Sequence, residues 1–286
     1  MTRTLHLRHR WVRTVTEMGP SLHRRDLLRL AAAGLAAGFS SACGATSAGR
    51  TETLSAEERR RQHRRGRLGS RLHPPADGRP PTGLVPLQLS GSDRDGALYV
   101  PASYTPGKPA PLVLSLHGAG GSGRRSLPRL RSLADERGLV LLSPDSRAST
   151  WDVVRTGFGP DVEFLDRALD LVFARYAIDP SRIAAEGFSD GASYALSLGL
   201  LNGDLFTHVI AFSPGFVLAG RREGQPRCFV SHGVQDPVLP IDPCSRRIVR
   251  ELRGDRYDVS YTEFEGGHAV PPNVARRAVD WLLASG

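Results

Sequence analysis

Arg182-Ile183-Ala184-Ala185-Glu186-Gly187-Phe188-Ser189-Asp190-Gly191-Ala192-Ser193-Tyr194-Ala195-Leu196 decides how the chain is read. Ile183–Ala185 has the composition of a short buried strand, and residues 192–201 that of a helix rich in small and apolar side chains. Between them, Gly187-Phe188-Ser189-Asp190-Gly191 is a Gly-x-Ser-x-Gly turn. A strand passing through a sharp turn into a helix lifts the central serine above the sheet edge in a strained backbone conformation. The flanking glycines are needed because a side chain at either position would strike the neighbouring strand or helix. The helix start places free N–H groups and a positive dipole end beside Ser189, where a developing oxyanion would sit.

A serine becomes a nucleophile only with a base and an acid, which in this context follow it in the order Asp, His. Downstream, Ser231-His232-Gly233-Val234-Gln235-Asp236-Pro237 ends one strand, and Glu265-Gly266-Gly267-His268-Ala269 ends the last. Asp236 is the expected acid and His268 the expected base, held in a glycine loop that lets the imidazole reach Ser189. Asp242 is the second choice for the acid and Asp255 the third; His232 reads as structural. Upstream, His117-Gly118-Ala119-Gly120-Gly121 follows a near-continuous apolar run, Pro111–Leu116. Its glycines let backbone N–H groups approach a substrate oxygen. The N–H groups of Ala119 and Asp190 are the expected oxyanion donors, with Gly118 and Gly120 lining the substrate site. Trp151 follows the next strand end and either lines a substrate pocket or packs its loop down.

Around these turns, apolar strands alternate with periodic helices. Leu84–Leu89 and Ala97–Pro101 read as an antiparallel edge pair, residues 126–137 as a helix, and Leu139–Pro144 as a buried strand. Asp161 reads as the cap of a helix over Val162–Tyr176, and Val274–Ala284 as the closing helix. The pattern predicts an α/β fold: a mostly parallel central sheet with helices on both faces and ligands at the carboxyl strand ends. The link between Thr207 and Arg227 is too short for a large lid.

The 286 residues carry a net charge of +9, unevenly spread. Residues 1–80 hold 16 Arg and 6 acidic residues, whereas residues 81–286 are at −1. The basicity belongs to the extension, which argues against nucleic-acid binding by the folded part. Arg24-Arg25 precedes a short apolar run, Leu27–Phe39, and small residues before Cys43. This is the pattern of a twin-arginine export signal over 1–43. Ser41-Ala42-Cys43-Gly44 resembles a lipobox, with Ser40 where a Leu is usual, so Cys43 is a candidate lipid anchor. Met18 is an alternative start. Residues 44–83, rich in Arg and Pro, are expected to form a disordered tether, leaving 84–286 as the catalytic domain. Cys228 and Cys244 are placed too far apart along the fold for an expected bridge.

From about Ala97 onward, the chain resembles the α/β-hydrolase superfamily, in its branch of phospholipase/carboxylesterase-like serine esterases. Polyhydroxybutyrate-depolymerase-like and feruloyl-esterase-like proteins lie close by. The residues that carry the resemblance are His117-Gly118-Ala119-Gly120-Gly121-Ser122, Asp179-Pro180-Ser181-Arg182-Ile183, Gly187-Phe188-Ser189-Asp190-Gly191, His232-Gly233-Val234-Gln235-Asp236-Pro237 and Gly266-Gly267-His268. Asp190 and Ala192 stand where relatives often carry Gln or Asn, and Gly. The resemblance implies a serine hydrolase acting on small or polymer-linked carboxylic esters through Ser189, His268 and Asp236; the leader adds the expectation of export, and a monomer is expected. Such chemistry needs no metal or cofactor. The alternatives are a same-fold peptidase or thioesterase, or a non-catalytic envelope-binding protein.

Overall fold

The apolar run before His117 is explained by a sheet covered on both sides. In a computed structural model that describes residues 55–91, 94–155 and 157–284, eight strands form one sheet. These are β1 (Gly83–Pro86), β2 (Ala97–Val100), β3 (Ala110–Leu116), β4 (Val140–Ser143), β5 (Ile178–Phe188), β6 (His208–Phe212), β7 (Arg227–Gly233) and β8 (Val259–Phe264). Their order is β1-β2-β4-β3-β5-β6-β7-β8. β2 is antiparallel to β1 and β4, and the remaining neighbours are parallel. The helices are α1 (Ala56–His63), α2 (Gly123–Ser126), α3 (Pro128–Arg137), α4 (Pro160–Arg175), α5 (Asp190–Leu201), α6 (Arg247–Gly254) and α7 (Pro272–Leu283).

Successive side chains of a strand alternate between faces. Leu112, Leu114 and Leu116 of β3 enter a cluster with Phe164, Leu165 and Leu169 of α4 and Tyr194 of α5. Val113 joins the opposite cluster, with Leu130 and Leu133 of α3 and Val274 and Ala278 of α7. The expected α/β architecture is therefore present, and residues 213–226 join β6 to β7 without a helical lid. The chain leaves β3 toward β4 on one side and later returns to β5 on the other. The loops after β3 and β5 thus diverge over adjacent strand ends, the position where sheets of this kind open a crevice.

Two expectations are corrected. The first is the tether. The described residues belong to one compact unit, Glu52–Gly286, and residues 55–83 are packed rather than disordered. Ser55 and Glu58 form a capping box at the start of α1. His63 Nε2 lies 2.7 Å from the Asp166 carboxylate on α4, which also accepts from the Gly69 and Ser70 N–H groups. Leu68 is buried, and Arg67 forks onto Asp204 at 3.0 and 2.8 Å. Burial opposes charge on Asp166, but the bonds from His63, Ser70 and Gly69 outweigh it and hold the carboxyl below its usual value. This segment needs no core of its own; it borrows acidic partners and an apolar slot from the domain. The export signal expected over 1–43, with Cys43, and residues 44–54 lie outside the described residues.

The second correction concerns Asp161. Helix α4 begins at Pro160, whose missing N–H suits a first helical position. Asp161 does not cap it. Its carboxylate accepts instead from the Arg147 and Asp152 N–H groups, both at 2.6 Å. Cys228 and Cys244 are both buried and unbridged.

Candidate active site

Ser189 occupies the single-residue corner between β5 and α5, with φ 58° and ψ −121°. Its N–H donates to the Phe212 carbonyl of β6 at 2.9 Å, and its carbonyl accepts from the Ala192 and Ser193 N–H groups. Glycine is required on both sides. A Cβ on Gly187 would strike the Gly191 carbonyl, and one on Gly191 would strike the carbonyl oxygens of Leu116 and His117.

The loops after β7 and β8 are fastened together by the Val234 N–H to the Phe264 carbonyl and the Gln235 N–H to the Gly266 carbonyl, each at 3.0 Å. This brings Asp236 and His268, 32 residues apart in the chain, into contact. His268 Nδ1 lies 2.6 Å from Asp236 Oδ2, and Nε2 lies 2.9 Å from Ser189 Oγ. A carboxylate only accepts, so Nδ1–H is the donor and Nε2 is left to accept from the serine hydroxyl. The second carboxylate oxygen, Oδ1, accepts from the Val238 and Leu239 N–H groups at 2.8 and 2.9 Å. Burial opposes ionisation of Asp236, but the Leu239 amide, His268 and the Val238 amide outweigh it, and the carboxyl sits below its usual value. The Phe188 ring lies against the imidazole, with centroids 4.7 Å apart. The other acids are elsewhere: Asp242 pairs with Arg246 at 2.9 Å, and Asp255 pairs with Arg222. His232 is structural, with its ring buried against Ser245 and the Leu239 carbonyl.

The loop after β3 is held by its own histidine. His117 Nε2 accepts from the Ser146 N–H at 3.0 Å, so Nδ1–H donates to the Gly118 carbonyl at 2.7 Å. Burial pushes its ring below the usual histidine value, in keeping with a neutral imidazole. Gly118 faces Ser189, since a Cβ there would stand 3.4 Å from the serine Cβ. Gly120 has φ 66° and donates its N–H to the Ser149 carbonyl at 2.7 Å. Ala119 is exposed at the tip between them.

Trp151 is not a substrate-lining residue. It is fully buried, donates Nε1–H to the His117 carbonyl at 2.8 Å, and packs between the His117 and Tyr194 rings. Its indole holds the loop after β4 under the loop after β3. One residue earlier, Thr150 donates to the Asp190 carboxylate at 2.6 Å, a contact without any local sequence signal. Beneath this loop, Asp152 and Asp161 exchange backbone-to-carboxylate bonds at 2.6 and 2.9 Å. Burial, followed by the neighbouring Asp161, pushes the Asp152 carboxyl up to about 6. Alongside His268, a cavity of about 660 Å³ runs between α3 and α7, lined by Phe188, Leu133, Val270, Arg129 and Arg276.

A mostly parallel sheet of this order, with a serine at a strained strand–helix corner and an imidazole over it, defines the α/β-hydrolase class. Comparisons with known proteins agree. The model of the "Putative esterase" family matches residues 88–227. The "Probable feruloyl esterase C" of Aspergillus oryzae is 26% identical over 228 residues, covering 66% of this chain and 83% of that protein. Feruloyl esterase C of Emericella nidulans is 28% identical over 218 residues, covering 65% and 79%. The crystal structure of esterase PE8 superposes with a TM-score of 0.56 at 22% identity, covering 72% of this chain and all of that one; that likeness is one of fold. The fold is that of the α/β-hydrolases, and the chain is a carboxylic ester hydrolase similar to the feruloyl esterases and to the "Putative esterase" family.

Proposed function

We propose that the chain is an exported esterase that works through a Ser189-His268-Asp236 triad and an acyl-enzyme. The observation that carries this reading is the pair of bonds made by one imidazole, 2.9 Å to Ser189 Oγ and 2.6 Å to Asp236 Oδ2. Ser189 Oγ attacks the ester carbonyl while His268 Nε2 takes its proton, and Asp236 stabilises the imidazolium. The N–H groups of Ala119 and Asp190 hold the oxyanion, and Gly118 and Gly120 leave room for the ester. The imidazolium returns the proton to the leaving alcohol. A water deprotonated by His268 then releases the acid from Ser189. The names of the relatives favour esters carrying an aromatic group, feruloyl esters among them, and the cavity beside His268 offers Phe188, Leu133 and Val270 to such a group. Export is supported by Arg24-Arg25 and the apolar run after it. The mass of the mature protein recovered from cells reports the cleavage point and any acyl group on Cys43.

The test is hydrolysis of p-nitrophenyl butyrate and methyl ferulate by the full chain. Ser189→Ala is expected to abolish turnover, a loss of about 10⁴-fold or more in kcat. A serine-directed phosphonate is expected to label the wild type at Ser189 and not the variant. Turnover by Ser189→Ala at the wild-type rate would overturn the assignment.

A further inference from the structure

Asp190 stands in an awkward place. It is the first residue of α5, directly after Ser189, and its N–H is one of the two proposed oxyanion donors. The amides of a first helical turn lack acceptors within the helix. A short carboxylate side chain at a helix start readily supplies one, because Asp bonds neighbouring backbone N–H groups. Left to itself, the Asp190 carboxylate would compete with the substrate oxygen for these amides and set a negative charge where another must form.

The structure gives that carboxylate a different partner. Thr150 Oγ1 donates to Asp190 Oδ2 at 2.6 Å, and both residues are half-buried. Thr150 is itself fixed from both sides. Trp151 next to it is buried and bonded to the His117 carbonyl at 2.8 Å, and the Ser149 carbonyl accepts from the Gly120 N–H at 2.7 Å. Ser146, at the start of the same loop, donates its N–H to His117 Nε2. One short loop thus grips the glycine loop at three points and the start of α5 at a fourth. The two proposed donor amides, from separate elements, are set against each other by this brace, which is the preorganisation an oxyanion site requires.

We infer that Thr150 is a positioning residue whose hydroxyl holds the Asp190 carboxylate away from the oxyanion-binding amides. The inference rests on the triad reading above. Thr150 touches no reacting atom; it acts through Asp190.

The experiment compares full-chain Thr150→Val, Thr150→Ser, Asp190→Ala and Thr150→Val/Asp190→Ala with wild type on p-nitrophenyl butyrate, recording kcat, KM and melting temperature. Thr150→Val is expected to lower kcat about tenfold with KM changed less than twofold, as befits misplaced transition-state donors. Thr150→Ser keeps the hydroxyl and is expected to retain the wild-type kcat. Removing the competing carboxylate is expected to rescue the loss, so the double variant turns over several-fold faster than Thr150→Val. A wild-type kcat in Thr150→Val, or a double variant slower than Thr150→Val, would overturn the inference. If Thr150→Val does not fold, the Asp190→Ala pair decides: without the carboxylate, loss of the hydroxyl should change kcat less than twofold, and a larger drop counts against the proposal. Ser189→Ala separates the two levels. An inactive Ser189→Ala with an unaffected Thr150→Val sinks only the Thr150 inference, whereas an active Ser189→Ala sinks the site assignment beneath it.

Discussion

Ser189 holds a backbone conformation that a residue with a Cβ seldom adopts, at a cost of about 1–3 kcal/mol. The surroundings enforce it through the bond to Phe212 and the two amides on its own carbonyl. That corner, and the pairing of Ser189 with Asp236 and His268, were legible because glycines and strand ends mark all three positions. Thr150 and the true place of Trp151 were not, since nothing local encodes which loops meet above a sheet. A further residue-level consequence concerns Asp152, whose carboxyl lies near 6 when folded. An unfolded Asp titrates near 3.9, so between these values the folded state holds a proton that the unfolded chain has released. Stability therefore falls as pH rises from about 4 to 6, and the cost stays in place above that. Asp152→Asn removes the cost. Unfolding in urea should show the variant gaining on wild type by about 1 kcal/mol between pH 4 and 7.5, a figure discounted for partial solvent access. A difference that stays flat or shrinks over that range would contradict this account.

At the scale of elements, β3, β5 and α5 are interlocked through backbone rather than side chains. Gly191 is where the start of α5 rests on the end of β3. Gly191→Ala should force them apart, lowering stability by about 1–3 kcal/mol and removing activity by shifting the Asp190 amide; an unchanged urea midpoint would count against it. The strands were legible from their apolar runs, because a sheet covered on both faces leaves no polar alternation to blur them. Helix starts were less so. Before α6 the chain passes through a kinked turn, Asp242–Arg246, where Cys244 has φ −101° and ψ −105°, and regular α-helix begins only at Arg247. At α4, Pro160 fixes the start while Asp161 serves the loop after β4, so the residue that looked like a cap belongs to the site's support.

At the scale of the molecule, residues 55–83 belong with the catalytic domain. Removing them would expose the slot of Leu68 and strip Asp166 of His63, Gly69 and Ser70. A fragment of residues 84–286 should therefore melt roughly 10 °C below one of residues 55–286, from a loss of about 3–5 kcal/mol. Equal melting temperatures would show that the segment only rests on the surface. Composition concealed this role, because a stretch of arginines and prolines looks the same whether it is solvated or has found its acids. The two sulfurs of the described residues point to one last property. Cys228 lies in the core, where burial pushes its thiol up to about 12, and Cys244 is shielded as well. Neither forms a cross-link, so this part of the fold owes nothing to oxidation: dithiothreitol should leave its melting curve unmoved, and alkylating reagents should find these thiols only after denaturation.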